Sequence, residues 1–185
     1  MVRWSPIFGL VTAFTLAATT ASAESANDRY DAPSVGFMLN GGNGDFSTGI
    51  GVTSPWFFGS SLAVQAAAMQ SWYMHGVDED KGEEEWEPFT SYKLGLMGGS
   101  VTVGGFMRMY GAGGLLYILP NKKVSEKKSA TGSYGAFGFE FLSGRSLNYY
   151  IELGANGISA NADKLPGKPL YSNGFSSTVG FRYYL

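Results

Sequence analysis

Apolar and polar residues alternate with a period of two along most of the chain beyond residue 33, most clearly in its last stretch. From Gly174 to Leu185, Phe175, Val179, Phe181, Tyr183 and Leu185 fall on one face, and Ser176, Thr178, Gly180, Arg182 and Tyr184 on the other. Successive side chains of a strand point to opposite faces, so the segment reads as a strand with one aromatic face and one small, polar or charged face. The same reading marks out seven earlier strands, at about Ser34–Gly42, Ser47–Thr53, Ser60–Met74, Phe89–Gly98, Met107–Leu119, Thr131–Leu142 and Leu147–Gly157. Phe137, Phe139 and Phe141 oppose Ala136, Gly138 and Glu140; Leu147, Tyr149, Ile151 and Leu153 oppose Asn148, Tyr150, Glu152 and Gly154. The third segment is rich enough in alanine to suit a helix as well. The fifth is too rich in glycine to assign its faces.

A row of aromatics at the end of a chain suits a strand with lipid on one side and a polar lumen on the other. Beyond residue 23 no run approaches the roughly 20 apolar residues of a spanning helix. Only helices and closed barrels satisfy every backbone group in lipid. The connections near Pro55, Gly99 and Gly144 are short. Three of the four alternate ones are long and charged or contain proline: His75 to Pro88, Pro120 to Ala130, and the stretch around Pro166 and Pro169. An even strand count brings both termini to the short-turn side. The prediction is an all-β fold, a transmembrane antiparallel up-and-down meander β-barrel of eight strands spanning 34–185. Arg108 is placed inward, because a charge facing mid-bilayer costs about 2–4 kcal/mol. Trp56, Phe57 and Phe58 are read as part of an interfacial aromatic girdle.

The ending resembles the C-terminal strand of bacterial outer-membrane proteins, with Leu185 in place of that family's usual final Phe. The pattern as a whole is similar to the small eight-stranded outer-membrane barrels. The resemblance implies a Gram-negative-type outer-membrane location and a porin-like scaffold. It also implies an assembly signal at Phe181, Tyr183 and Leu185, read by barrel-assembly machinery. Expected partners are outer-membrane lipid and lipopolysaccharide, and the protein is expected to be a monomer.

Composition agrees with a barrel. There are 27 Gly, 13 Phe, 11 Tyr and 4 Trp in 185 residues, and each internal Gly costs a helix about 1 kcal/mol relative to Ala. Residues 1–23 have the parts of a secretory signal peptide: Arg3, an apolar core from Ile7 to Ala18, and Ala21-Ser22-Ala23 as the cleavage site. Residues 24–33 read as a periplasmic lead-in. Removing Arg3 changes 13 basic against 15 acidic residues to 12 against 15, a mild net charge of −3 that indicates no nucleic-acid partner. With no cysteine, disulfides, thiolate metal sites and a lipid-anchored N-terminus are excluded.

Candidate chemistry is sparse. His75 is the only histidine, so a general-base or nucleophilic mechanism of the usual kind must use it. Some small outer-membrane barrels are lipid A-modifying enzymes, but their closely spaced His-x-Ser pattern is absent here. Ser71 and His75, four positions apart on one strand, are separated by about 13 Å. No catalytic residue and no cofactor are assigned. Asp78, Glu79, Asp80, Glu83, Glu84, Glu85 and Glu87 could hold a divalent cation weakly, since such ions prefer carboxylate oxygens, but the spacing specifies no metal site. The acidic stretch and the basic one (Lys122, Lys123, Lys127, Lys128) are expected to draw together over the lumen mouth. The most informative set is inward: Lys93, Arg108, Glu140, Glu152 and Arg182. Ionised groups inside a barrel must be paired or wet, and eight strands leave an interior that side chains can just fill. The expected function is therefore a structural or surface-interaction barrel with a filled lumen. A narrow channel for small solutes or ions is the first alternative, and a lipid A-modifying enzyme the second.

Overall fold

A computed structural model of the protein describes residues 32–42, 44–78, 83–143, 146–158, 162–164 and 173–185. The signal-peptide reading, most of the lead-in, Glu79, Asp80 and the loop around Pro166 and Pro169 lie outside the described residues. Eight strands follow in order: β1 (Ser34–Gly42), β2 (Asp45–Thr53), β3 (Leu62–Asp78), β4 (Glu83–Val103), β5 (Met107–Leu119), β6 (Ala130–Phe141), β7 (Leu147–Ile158) and β8 (Gly174–Tyr184). Each pairs antiparallel with the next, and β8 returns to β1, with Ser34 opposite Tyr184 and Gly42 opposite Ser176. The sheet is thus closed, and no strand is left with an open side to the barrel. All-β architecture, strand count and meander order are those read from the alternation.

The strands alternate as their sequences require. Leu94, Leu115, Phe137, Tyr149 and Phe175 lie on the outer surface, each 57–67% exposed. Their neighbours Lys93, Leu116, Gly138, Tyr150 and Ser176 line the lumen. In β5, where glycine obscures the period, Arg108, Tyr110, Leu116 and Ile118 turn inward and are buried. The alanines of β3 belong to a strand. Ala66, Ala67 and Ala68 pair with Val52, Gly51 and Ile50 on one side and with Leu94, Lys93 and Tyr92 on the other. Hydrogen bonding to two neighbours outweighs alanine's local helical preference.

Two strands are longer than their sequence suggests. The stretch from His75 to Pro88, read as a loop, is instead largely ladder: Met74 pairs with Trp86, His75 with Glu85, Gly76 with Glu84 and Asp78 with Glu83. Carboxylates look like loop residues in a sequence, but here the backbone groups bond across the hairpin while the Glu85 side chain stays exposed. At its other end β4 continues to Val103 past an irregularity between Gly98 and Val101, so Gly99–Phe106 is a strand extension with a short turn.

The start of β1, the end of β8 and the β2–β3, β4–β5 and β6–β7 connections lie at one end of the barrel, the turn end; the other four connections join strands at the loop end. Because every strand is paired on both sides, opening the wall breaks two ladders at once. The folded protein should therefore resist SDS at room temperature and change mobility on a gel only after boiling. Identical mobility of membrane-extracted material before and after heating would count against a closed barrel.

Candidate functional site

The turn-end half of the lumen is organised on Arg182, in β8. Its guanidinium meets Glu140 of β6 (Nη1 to Oε2, 3.2 Å) and Glu152 of β7 (Nη2 to Oε1, 3.2 Å). Nη2 also donates to the Tyr110 hydroxyl at 2.9 Å, and that hydroxyl donates to Glu152 at 2.8 Å. Glu140 accepts two more bonds, from Asn148 Nδ2 at 3.0 Å and from the Tyr184 hydroxyl at 2.6 Å. Glu140 is 0% and Arg182 4% exposed, so water cannot supply these bonds, and the network provides them from β5, β6, β7 and β8. The Tyr150 ring lies against the same guanidinium, 4.0 Å from centroid to Cζ.

Two glycines make room for these rings. Tyr110 is opposite Gly138 across β5 and β6, and Tyr150 opposite Gly180 across β7 and β8. A Cβ on Gly138 would run into the Tyr110 ring, and one on Gly180 would lie 2.7 Å from the Tyr150 hydroxyl. The inward glycines therefore serve packing. Each large ring lies flat over a neighbouring strand that has no side chain to obstruct it.

Of the five inward residues read from the sequence, Glu140, Glu152 and Arg182 come into direct contact. Arg108 is level with Glu140 in the β5–β6 ladder and lies over the Trp56 ring, 4.9 Å from its centroid. Trp56 is therefore not part of the girdle. It is buried with Ala63, Met97 and Tyr110 and caps the turn end from inside, while Phe57 and Phe58 stay exposed. A cation below it and an apolar cluster around it hold the indole better than an interface would. Lys93 stands deeper in the lumen, over the Tyr134 ring at 5.3 Å, and interacts electrostatically with Glu152 and with Asp45. Asp45, Tyr110, Asn148 and Tyr184 were missed as site residues. Tyr184 shares the inward parity of Arg182, which is the signal that could have found it.

At the loop end the lumen is apolar on one wall and closed by the β5–β6 connection. Val124 is buried against Phe89, Leu116, Ile118, Ala130, Tyr134, Ile158 and Ala162. Lys123 beside it donates to the buried Glu87 at 2.8 Å and lies 3.6 Å from Glu85, and Asn121 also donates to Glu87. Glu87 holds the Lys123 ammonium above the ordinary lysine range. Lys164 binds the same connection through its backbone N to Val124 O (3.1 Å) and its Nζ to Glu126 (3.3 Å). Asp163 is held below the usual carboxylate range, chiefly by the Ser125 hydroxyl.

The basic and acidic stretches thus meet over the mouth, but an apolar side chain takes part in the contact. Among the described residues no three His, Cys, Asp or Glu side chains converge as a metal site. Asp78, Glu83, Glu84, Glu85 and Glu87 are spread along the ladder. Ser71 faces the lumen, where it bonds to Ser47 (2.8 Å) and Ser91 (3.4 Å); His75 is aligned in the ladder with Glu85.

Two glycines of β6, one facing inward and one outward, test the packing role. Gly138→Val should displace Tyr110 and destabilise the barrel by about 1–3 kcal/mol. Gly135→Val, on the outer face where a Cβ meets nothing within 4 Å, should change stability by no more than about 0.5 kcal/mol. Urea unfolding in micelles measures both, and equal losses would refute the packing role of Gly138.

No protein-family model and no curated protein sequence matches the chain. Its fold has solved counterparts. The chain is similar to the N-terminal β-barrel domain of Pseudomonas aeruginosa OprF, with 12% identity, 84% of this chain and 98% of that one covered, and a TM-score of 0.55. It is also similar to the outer membrane protein OprG from Pseudomonas aeruginosa, with 13% identity, coverage of 83% and 96%, and a TM-score of 0.50. At such identities the likeness is one of fold, and the fold is that of the small outer-membrane β-barrels.

Proposed function

We propose that the protein is an integral outer-membrane barrel with a structural or surface-interaction role, whose lumen does not conduct at rest. The observation that supports this reading is that side chains occupy both ends of the lumen. Trp56 and the Arg182 network occupy the turn end, and Val124 with its apolar cluster occupies the loop end. The two cavities described between them measure about 20 and 10 Å³, each room for about one water molecule. The apolar outer surface supports the membrane location: a ring of exposed Leu, Phe, Tyr and Val would be a liability in water and is a requirement in lipid. Export after signal-peptide cleavage would place the termini in the periplasm and the loop end at the cell surface. There the exposed Lys122, Lys127 and Lys128 can meet lipopolysaccharide phosphates. The protein is read as a non-enzymatic monomer that reaches the membrane through the barrel-assembly machinery, with Phe181, Tyr183 and Leu185 as its signal.

Conductance in planar bilayers tests the proposal. The purified barrel should give a silent membrane at 1 M salt after insertion has been verified by protease protection. Reproducible unitary steps from the unaltered protein would overturn the filled-lumen reading in favour of a narrow channel.

A further inference from the structure

The loop-end half of the lumen has two unlike walls. One is apolar, made by Phe89, Leu116, Ile118 and Ile158. The other carries small polar groups. Ser47 donates to Ser71, whose hydroxyl lies 3.4 Å from that of Ser91, and Asn40 Nδ2 donates to Thr178 at 2.7 Å. Between the walls lies the 10 Å³ cavity, with Lys93 at its floor and Asn156 on its lining. Asn156 is 8% exposed, and its Oδ1 is buried with no hydrogen-bond partner. A buried amide oxygen left unbonded is costly, and at a cavity wall it marks a place where a donor belongs.

The apolar wall of this cavity is extended by one side chain that belongs to a connection rather than to a strand. Val124 reaches into the apolar wall, while its neighbours Lys122 and Lys123 are at the surface. The connection is fastened at its rim by Lys123 to Glu87 and by Lys164 to Val124 O and Lys122 O. Lys123 is exposed while Glu87 is buried, so the fastening consists of a few contacts at the rim, against the continuous strand ladders beneath it.

We propose that the loop-end half of the lumen is a binding chamber for a small amphiphile bearing an alcohol or phenol hydroxyl, and that Val124 is its built-in stopper. The ligand's apolar body would replace the Val124 side chain against Phe89, Leu116, Ile118 and Ile158. Its hydroxyl would donate to Asn156 Oδ1 and could accept from Lys93 or a serine of the opposite wall. A hydroxyl fits where a carboxylate does not, because Asn156 Oδ1 needs a donor. The chamber is blind toward the turn end, where the Arg182 network closes it. Binding there requires no conduction through the barrel.

Phenol and its hydroxyl-free counterpart toluene serve as probes of the full-length barrel in nanodiscs. The readout is the methyl NMR signals of Val124, Leu116, Ile118 and Ile158. The outward Leu94 and Leu115 report simple partitioning into lipid. Phenol should shift the four chamber signals saturably, with the largest change at Val124, while Leu94 and Leu115 respond linearly. Toluene should bind about tenfold more weakly for want of one hydrogen bond to a buried acceptor. Asn156→Leu should abolish that preference. Lys123→Ala, which unfastens the rim, should tighten phenol a few-fold by raising the population of the open form. Chamber signals that follow Leu94 and Leu115 without saturating would mean the cavity holds water alone and would overturn the proposal. Equal saturable binding of phenol and toluene would overturn the role of Asn156. Both comparisons on the unaltered protein decide the matter even if a variant fails to fold.

Discussion

A guanidinium withdrawn from water must find its hydrogen bonds inside the protein, and the rest of this barrel's interior follows from how Arg182 does so. Burying a single ion is expensive, and removing one partner of a buried pair costs about 3–5 kcal/mol because the other is stranded. Arg182 therefore requires Glu140 and Glu152. Those two carboxylates in turn have lone pairs left over, which Asn148, Tyr110 and Tyr184 occupy. The rings of Tyr110 and Tyr150 need floor space, and Gly138 and Gly180 provide it. One charge on the closing strand thus draws together β5, β6, β7 and β8. The same side chains that complete the wall also occupy the lumen beside it.

The two halves of the lumen are sealed by different physics. The turn end is held by directional bonds among ionised and phenolic groups, with little exposure to salt. The loop end is held by apolar contact around Val124, reinforced at the rim by Lys123 and Glu87. The ion pairs of the rim, Lys123 with Glu85 and Glu87 and Lys164 with Glu126, are open to screening; over a Debye length that falls from about 10 Å at 0.1 M to about 3 Å at 1 M they would weaken while the apolar contact persisted. Attraction between oppositely charged stretches brings them together, and the burial of Val124 anchors the β5–β6 connection to the apolar wall.

Strand number and order, and facing everywhere but in the glycine-rich β5, were legible because the side-chain period of a strand is two and lipid favours apolar groups at outward positions. β1 and β5 have the bounds read from the alternation, and β8 differs from it only at its last residue. The hairpin of β3 and β4 was not legible, because outside the membrane nothing in the side chains has to report that the backbone is still paired. Glu140, Glu152 and Arg182 could be singled out, since charge on an inward position of neighbouring strands must be matched. Trp56 could not. An aromatic beside a turn reads as an interfacial anchor, and only the position of Arg108 beneath it reveals that it folds inward. Val124 was equally hidden, as a lone apolar residue in a lysine-rich connection. Its role depends on the depth of the lumen below.

Arg182 and the two glutamates form one interdependent unit that completes the barrel. A double-mutant cycle on Arg182→Met and Glu140→Gln, measured by reversible urea unfolding in lipid bilayers, addresses it directly. Each single change should be costly, and the double variant should be more stable than the sum of the two losses implies. The coupling should exceed the roughly 0.2–1 kcal/mol typical of exposed pairs. Losses that simply add would contradict it, because they would mean that the two groups contribute separately and that the closing strand is held by its backbone ladders alone.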